Sequence, residues 1–218
     1  MSDVVLDQSA LMDRVYRQQR HFYDVTRAWY LLGRDRMLQS LRPKIGDRIL
    51  EMGCGTGRNL IAAIRTYPLA QYYGVDISSE MLTTARRASN RAGLGHQLSF
   101  AQGDATRFDP QLAFGQTGFE CIFMSYTLSM IPDWQGALSH ALSHLPARGE
   151  LHIVDFGQQE RLPALFRMLL FKWLDLFHVS PRADLHAVLE ALAMKHSATL
   201  TFTPLYRGYA WSAVLRMQ

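Results

Sequence analysis

Glu51, Asp76 and Asp104 are carboxylates set in or just after short apolar runs, and the first is followed almost at once by Gly53-Cys54-Gly55-Thr56-Gly57. Glycines at alternate positions permit a tight turn and let a ligand come close to the backbone. The phosphate-binding versions of such a turn do not fit. A dinucleotide fingerprint needs glycine where Arg58 stands, and a P-loop needs a Gly-Lys-Ser/Thr ending that the sequence lacks. If Asp76 ends a second strand and Asp104 follows a third, the open ends of parallel strands bring both into one crevice. Asp76 then accepts from the two hydroxyls of a ribose and Asp104 from an adenine amino group, with an amino-acid tail near the glycines and Glu51. The set suits a nucleoside that carries no phosphate.

The elements that must position these residues are legible in the apolar periodicity. Arg48-Ile49-Leu50-Glu51-Met52 reads as a strand, the glycines as a turn, and Arg58 to Tyr67 as a helix. The cycle repeats with a strand from Gln71 to Val75, a helix from Ser78 to Ala92 and a strand from Gln97 to Gln102. Phe119 to Ser125, a helix around Gly136 to Leu145, and Leu151 to Phe156 follow. Five strands alternating with helices predict an α/β, Rossmann-like, doubly wound and mostly parallel sheet. Thr199 to Thr203 and Ala210 to Arg216 add an antiparallel pair, giving seven strands with an antiparallel last strand. Before the core, residues 1–44 have helical spacing up to the breaker Pro43 and predict a helical cap. The stretch from Pro163 to Pro181 interrupts this order.

That stretch is crowded with large apolar side chains. On a helical wheel Leu165, Phe166, Leu169, Leu170, Trp173, Leu174, Leu176 and Phe177 fall on one half; Arg167, Lys172, Asp175 and His178 fall on the other, with Ala164, Met168 and Phe171. It reads as an amphipathic helical insertion, too short and too charged to span a bilayer. The whole chain is expected to form one domain: cap 1–44, cofactor-binding core 45–157, insertion 158–197 and strand pair 198–218.

Composition narrows the class. With 48% hydrophobic and 19% charged residues, the 218-residue chain is too apolar for disorder. Cys54 and Cys121 stand apart, without C-x-x-C or His/Cys pairing, so neither a zinc site nor any other metal site is expected. A net charge of +4 and a pI near 9.2 hint at an anionic partner without identifying it. The opening MSDVVLDQSALMD has early aspartates and no long apolar run, which predicts no secretory leader and a cytoplasmic location.

Through ILEMGCGTGRNL, YGVDISSEML, GDATRF and CIFMSYTLSMIPDW, the chain resembles the class I S-adenosylmethionine-dependent methyltransferases over about residues 45 to 157. The resemblance implies that the Gly53, Gly55 and Gly57 turn holds the methionine portion and Asp76 the ribose. It implies further that Ile77 and Met81 face the adenine, that Asp104 with Ala105 meets the adenine edge, and that Ser125 and Tyr126 line the floor near the methyl donor. YRQQRHFYDVTRAWYLLGRDRM and FHVSPR are similar, more narrowly, to the bacterial betaine-lipid N-methyltransferases, which trimethylate diacylglyceryl-homoserine. Siblings acting on phosphatidylethanolamine, a quinone precursor or a soluble small molecule share the core motif, so the lipid assignment rests on the flanks.

The Asn-Pro-Pro-Tyr type of motif used on nucleobases is replaced by Ser125-Tyr126-Thr127-Leu128, and no basic domain with interleaved aromatics is present, so nucleic acid is not an expected partner. A lipid head-group amine is the expected acceptor, with reversible contact at the inner membrane surface; a homo-oligomer is compatible with the sequence. A protonated amine must lose a proton before it attacks, and Tyr23, His178 and Tyr206 are candidates to receive it. The quaternary product is best held by aromatic faces, for which Tyr16, Tyr23, Tyr126 and Tyr206 are available. Arg34 or Arg207 matches the homoserine carboxylate. The rival from another class is a noncatalytic nucleoside-binding partner subunit.

Overall fold

The computed structural model describes residues 31–177 and 179–218. Among them a short helix α1 (Arg34–Ser40) precedes an alternation of β1 (Arg48–Met52), α2 (Arg58–Thr66), β2 (Gln71–Asp76), α3 (Ser79–Arg91) and β3 (Leu98–Gln102). It continues through α4 (Pro110–Phe114), β4 (Cys121–Ser125), a 3-10 turn at Leu128–Met130, α5 (Trp134–Ser143) and β5 (Glu150–Phe156). Two helices, α6 (Ala164–Leu176) and α7 (Leu185–Lys195), lead into β6 (Thr199–Leu205) and β7 (Ala210–Arg216). The seven strands form one sheet in the order β3-β2-β1-β4-β5-β7-β6. The first five are parallel, and β7 runs antiparallel to both neighbours. This is the Rossmann-like α/β architecture anticipated from the alternation.

Local chemistry sets the boundaries. Ser78 caps α3 through its hydroxyl, which accepts from the Met81 amide; Asp109 and Asp133 cap α4 and α5 in the same way. The central strands β1, β2, β4 and β5 are buried on both faces because helices cover both. On one face Met37, Leu60, Leu82 and Leu174, from α1, α2, α3 and α6, pack with Phe123 and Phe156. On the other, Leu138, Leu142, Leu185 and Leu189, from α5 and α7, pack with Leu151 and Ile153.

The region after β5 is helical, but its packing differs from the wheel reading. It holds two helices, and the first is split lengthwise: Leu170, Phe171, Trp173, Leu174 and Phe177 turn toward the core, while Leu165, Phe166, Met168, Leu169 and Leu176 are exposed. The eight-residue apolar half read from the wheel is therefore divided between two environments, and Phe171, placed there on the polar half, faces inward. The second departure is Pro204, expected in a connection but found inside β6. β6 is an edge strand, so the missing amide costs no ladder bond. No helix among the described residues is long and apolar enough to cross a membrane.

Candidate functional site

The carboxyl ends of β1, β2, β4 and β5 form one rim of the sheet. At the first, Gly53, Gly55 and Gly57 all have left-handed backbones, with φ of 74°, 51° and 71°. The amides of Gly53 and Cys54 donate to the Val75 carbonyl at 2.8 and 3.0 Å, so the turn folds over the end of β2. A methyl group on Gly53 would lie 2.2 Å from Cγ2 of Thr127, in the loop after β4; close approach as well as φ demands glycine.

Asp76 ends β2 beneath this turn. Its Oδ2 accepts from the Gly55 amide at 2.7 Å and its Oδ1 from the Ser78 amide at 2.9 Å. The carboxylate is thereby fixed at the rim by the glycine turn on one side and the start of α3 on the other. Glu51 is buried, and its Oε1 accepts from Nδ2 of Asn59 at 2.6 Å. Asn59 was not singled out in the sequence; the position two residues past the last glycine, at the start of α2, was the available signal.

Next to Asp76, Ile77 is half-buried and its carbonyl accepts from Gln102. Met81 is buried in a small apolar group with Met130 and Phe177. Phe177 follows α6, so the post-β5 region reaches the start of α3. Asp104 is engaged locally: Oδ1 accepts from the amide and hydroxyl of Thr106 at 2.9 and 2.8 Å, and Oδ2 lies 3.3 Å from Nε of Arg107. Its carboxylate thus organises its own turn, a task the sequence reading did not assign, while Ala105 packs against the core.

Ser125 closes β4 with a buried Oγ that has no hydrogen-bond partner among the described residues. Such a hydroxyl costs free energy unless something completes it. Tyr126 is different from its expected place as floor and aromatic wall. It has φ 55°, is only 2% exposed, packs edge-on against Phe156 with centroids 4.6 Å apart, and donates its hydroxyl to the Leu32 carbonyl. Burial raises its pKa well above that of a free tyrosine. Tyr126 therefore fastens the segment before α1 to the end of β4.

Behind this loop stands Asp155, at the end of β5, a second residue missed in the sequence. It accepts from the Ser129 amide at 3.2 Å and the Phe156 amide at 2.8 Å, and burial raises its pKa. Arg182 donates to the carbonyls of Leu128 and Ile131 at 3.0 and 2.7 Å, closing the same loop from the other side.

At the β6–β7 turn, Tyr206, Arg207 and Gly208 carry φ of 51°, 63° and 86° in succession. Tyr206 is 52% exposed, and Gly33 abuts it: a methyl group on Gly33 would lie 3.7 Å from Tyr206 Cε2. Arg34 follows Gly33, with its guanidinium on Asp35 at 2.9 Å. Arg34, Tyr206 and the Tyr126 anchor thus share one end of the sheet, and Arg207 is exposed beside them. Tyr16, Tyr23 and His178 lie outside the described residues. Among the described residues no cluster of three or more His, Cys, Asp or Glu is arranged to hold a metal.

The glycine turn and the rim carboxylate lie within the stretch that a comparison with known proteins identifies. A family profile described as a methyltransferase domain matches residues 43–191. The chain belongs to the class I S-adenosylmethionine-dependent methyltransferase domain family. This methyltransferase is similar to the demethylmenaquinone methyltransferase of Bacteroides fragilis, at 27% identity over 139 residues, or 64% of this chain and 54% of the relative. It is similar also to the ubiquinone/menaquinone biosynthesis C-methyltransferase UbiE of Cereibacter sphaeroides, at 27% over 127 residues, 58% of this chain and 49% of the relative. The chain spans about half the length of these curated relatives. In fold, it is similar to the plantazolicin methyltransferase BpumL, solved with SAH, with a TM-score of 0.71, 14% identity and full coverage of both chains.

Proposed function

We propose that this methyltransferase transfers methyl groups from S-adenosylmethionine to the amine of a membrane-borne lipid head group, diacylglyceryl-homoserine, in successive steps to the trimethylated betaine. The observation that carries the donor half is the rim at which Asp76, the glycine turn and the unpartnered Ser125 hydroxyl meet. Its polar atoms suit a ribose and an amino-acid tail, and Met81 with Ile77 offers an apolar flank for a base. Gly53, Gly55 and Gly57 hold the tail, Glu51 and Asn59 lie beneath it, Asp76 takes the ribose, and Ala105 with the Asp104 turn borders the adenine edge. Bound there, the donor supplies a methyl group on a sulfonium that is already a good leaving group.

The protein's remaining work is alignment and proton removal. Holding an amine in line with the methyl group is an entropic contribution on the order of several kcal/mol. Tyr206, at the mouth beside Gly33, faces the acceptor end as proton relay and as an aromatic surface for the growing ammonium. Tyr16 and Tyr23 are proposed as further aromatic surfaces, and Tyr23 and His178 as further proton acceptors. Arg34 and Arg207 are proposed to receive the head-group carboxylate, whose geometry suits a guanidinium fork.

A second reading is favoured by the names of the curated relatives: C-methylation of a quinone precursor. Both acceptors reside in membranes. The deciding experiment incubates the protein with S-adenosylmethionine and detergent micelles of diacylglyceryl-homoserine, phosphatidylethanolamine or demethylmenaquinone, reading product masses. Mono-, di- and trimethylated homoserine lipid is the expected result. Methylation of the quinone alone overturns the lipid reading within the same chemistry, and S-adenosylhomocysteine binding without transfer to any acceptor favours a noncatalytic subunit.

A further inference from the structure

Helix α6 has two apolar faces where packing on a sheet calls for one. Trp173, Leu174 and Phe177 supply the inner face. Leu165, Leu169 and Leu176 recur at one, five and twelve along the outer face, with Lys172 in the same stripe and Met168 beside it. The three leucines are 65%, 57% and 73% exposed. A solvent-facing helix stripe is ordinarily polar, and a contiguous apolar one marks a surface that something covers.

The surroundings select what covers it. Arg167 and Lys172 are exposed on α6 itself. Arg161, three residues before the helix, donates its amide to the Arg207 carbonyl at 3.1 Å, which brings exposed Arg207 and Tyr206 of the β6–β7 turn against the start of α6. Of the acids nearby, Glu160 already accepts from the Trp211 indole at 3.0 Å, leaving Asp175 as the carboxylate on α6. Leucines with Lys172 in their stripe, Arg161 and Arg207 at the start of the helix and a half-exposed tyrosine complement an anionic lipid surface. A second copy of the chain would set the same three positive charges against one another across a two-fold axis. The length is also right for lying flat: 13 residues rise about 20 Å, short of a bilayer's hydrocarbon core.

We propose that the outer face of α6, with Arg161 and Lys172, docks reversibly on an anionic lipid bilayer and presents the Tyr206–Arg207 turn to it. The inference deepens the membrane-borne acceptor reading and rests on that reading for its purpose. Flotation with acceptor-free vesicles tests it, because phosphatidylglycerol and phosphatidylcholine carry no methylatable amine. The full chain should bind phosphatidylglycerol-rich vesicles, bind phosphatidylcholine vesicles weakly, and release from the former at high salt. Leu165→Gln/Leu169→Gln/Leu176→Gln should weaken binding by more than about tenfold, and Arg161→Glu/Lys172→Glu by roughly fivefold per basic residue removed. Unchanged S-adenosylhomocysteine affinity establishes that these surface variants are folded. Equal vesicle binding by wild type and the triple variant overturns the proposal, as does self-association that the triple variant abolishes in a wild type that ignores vesicles. Methylation of micellar acceptor by a protein that ignores vesicles would overturn docking alone and leave the acceptor reading standing.

Discussion

Ser125 and Asp76 make opposite demands on the folded chain. The Ser125 hydroxyl is buried without a partner, so Ser125→Ala removes a desolvation cost and should leave thermal stability unchanged or slightly raised. If a donor's polar atom completes it, the same variant should bind S-adenosylhomocysteine several-fold more weakly by calorimetry; unchanged affinity would remove Ser125 from the site. Asp76 already holds two backbone amides. Asp76→Asn loses charge and one acceptor, so both stability and affinity should fall, affinity by roughly ten- to a hundredfold given the worth of hydrogen bonds to a charged group. The residue types of this rim were legible because each stands at the end of a short apolar run. The task of Tyr126 was not, since its left-handed backbone and its partner Leu32 are properties of the assembled chain. Asp104 is the converse case: its partner Thr106 is only two residues away, but an acid after a strand serves a local turn and a ligand equally well.

Elements were legible where burial pattern and punctuation coincide. β1, β2 and β4 are short apolar runs closed by glycine, aspartate or serine, and their ends fall within two residues of expectation. The two apolar faces of α6 were not told apart because apolar side chains spaced for a helix do not reveal which of them meets the sheet. The contact between the glycine turn and Thr127 was equally hidden, as the two are joined by neighbouring strands and not by sequence. It carries a test. Gly53→Ala combines a left-handed L-residue with a contact to Thr127, and should cost roughly 2–4 kcal/mol by urea unfolding. Gly53→Ala/Thr127→Ser removes the crowding methyl and should recover part of that loss; no recovery would place the whole cost in the backbone conformation.

Acid stability belongs to the whole molecule, and here it is tied to the pairing of β5 with β7. Glu150 lies 2.7 Å from Nε2 of buried His152 and 2.6 Å from Nε of Arg216, its register partner on β7. The hydrogen bond from His152, opposed by burial and aided by Arg216, holds the Glu150 carboxyl at about 2, below an ordinary value of 4.5. A depressed folded value means that its contribution is complete above the unfolded value and fades as pH falls through the folded one. Wild type should therefore exceed Glu150→Gln in unfolding free energy near neutrality, and the gap should close as pH drops from about 5 toward 2. A gap constant over that window would remove Glu150 from the account.

β7 lies between β5 and β6 although it is the last of the three in sequence. During synthesis, then, β6 leaves the ribosome before the strand it must pair with exists, and β5 offers an open edge for some sixty residues of elongation. An unpaired edge of Ile153 and Val154 is a template for other chains. Ribosome stalling or premature termination anywhere between β5 and β7 should accordingly yield an insoluble product and not a smaller soluble one, and the burden this chain places on chaperones is concentrated in that interval of its translation.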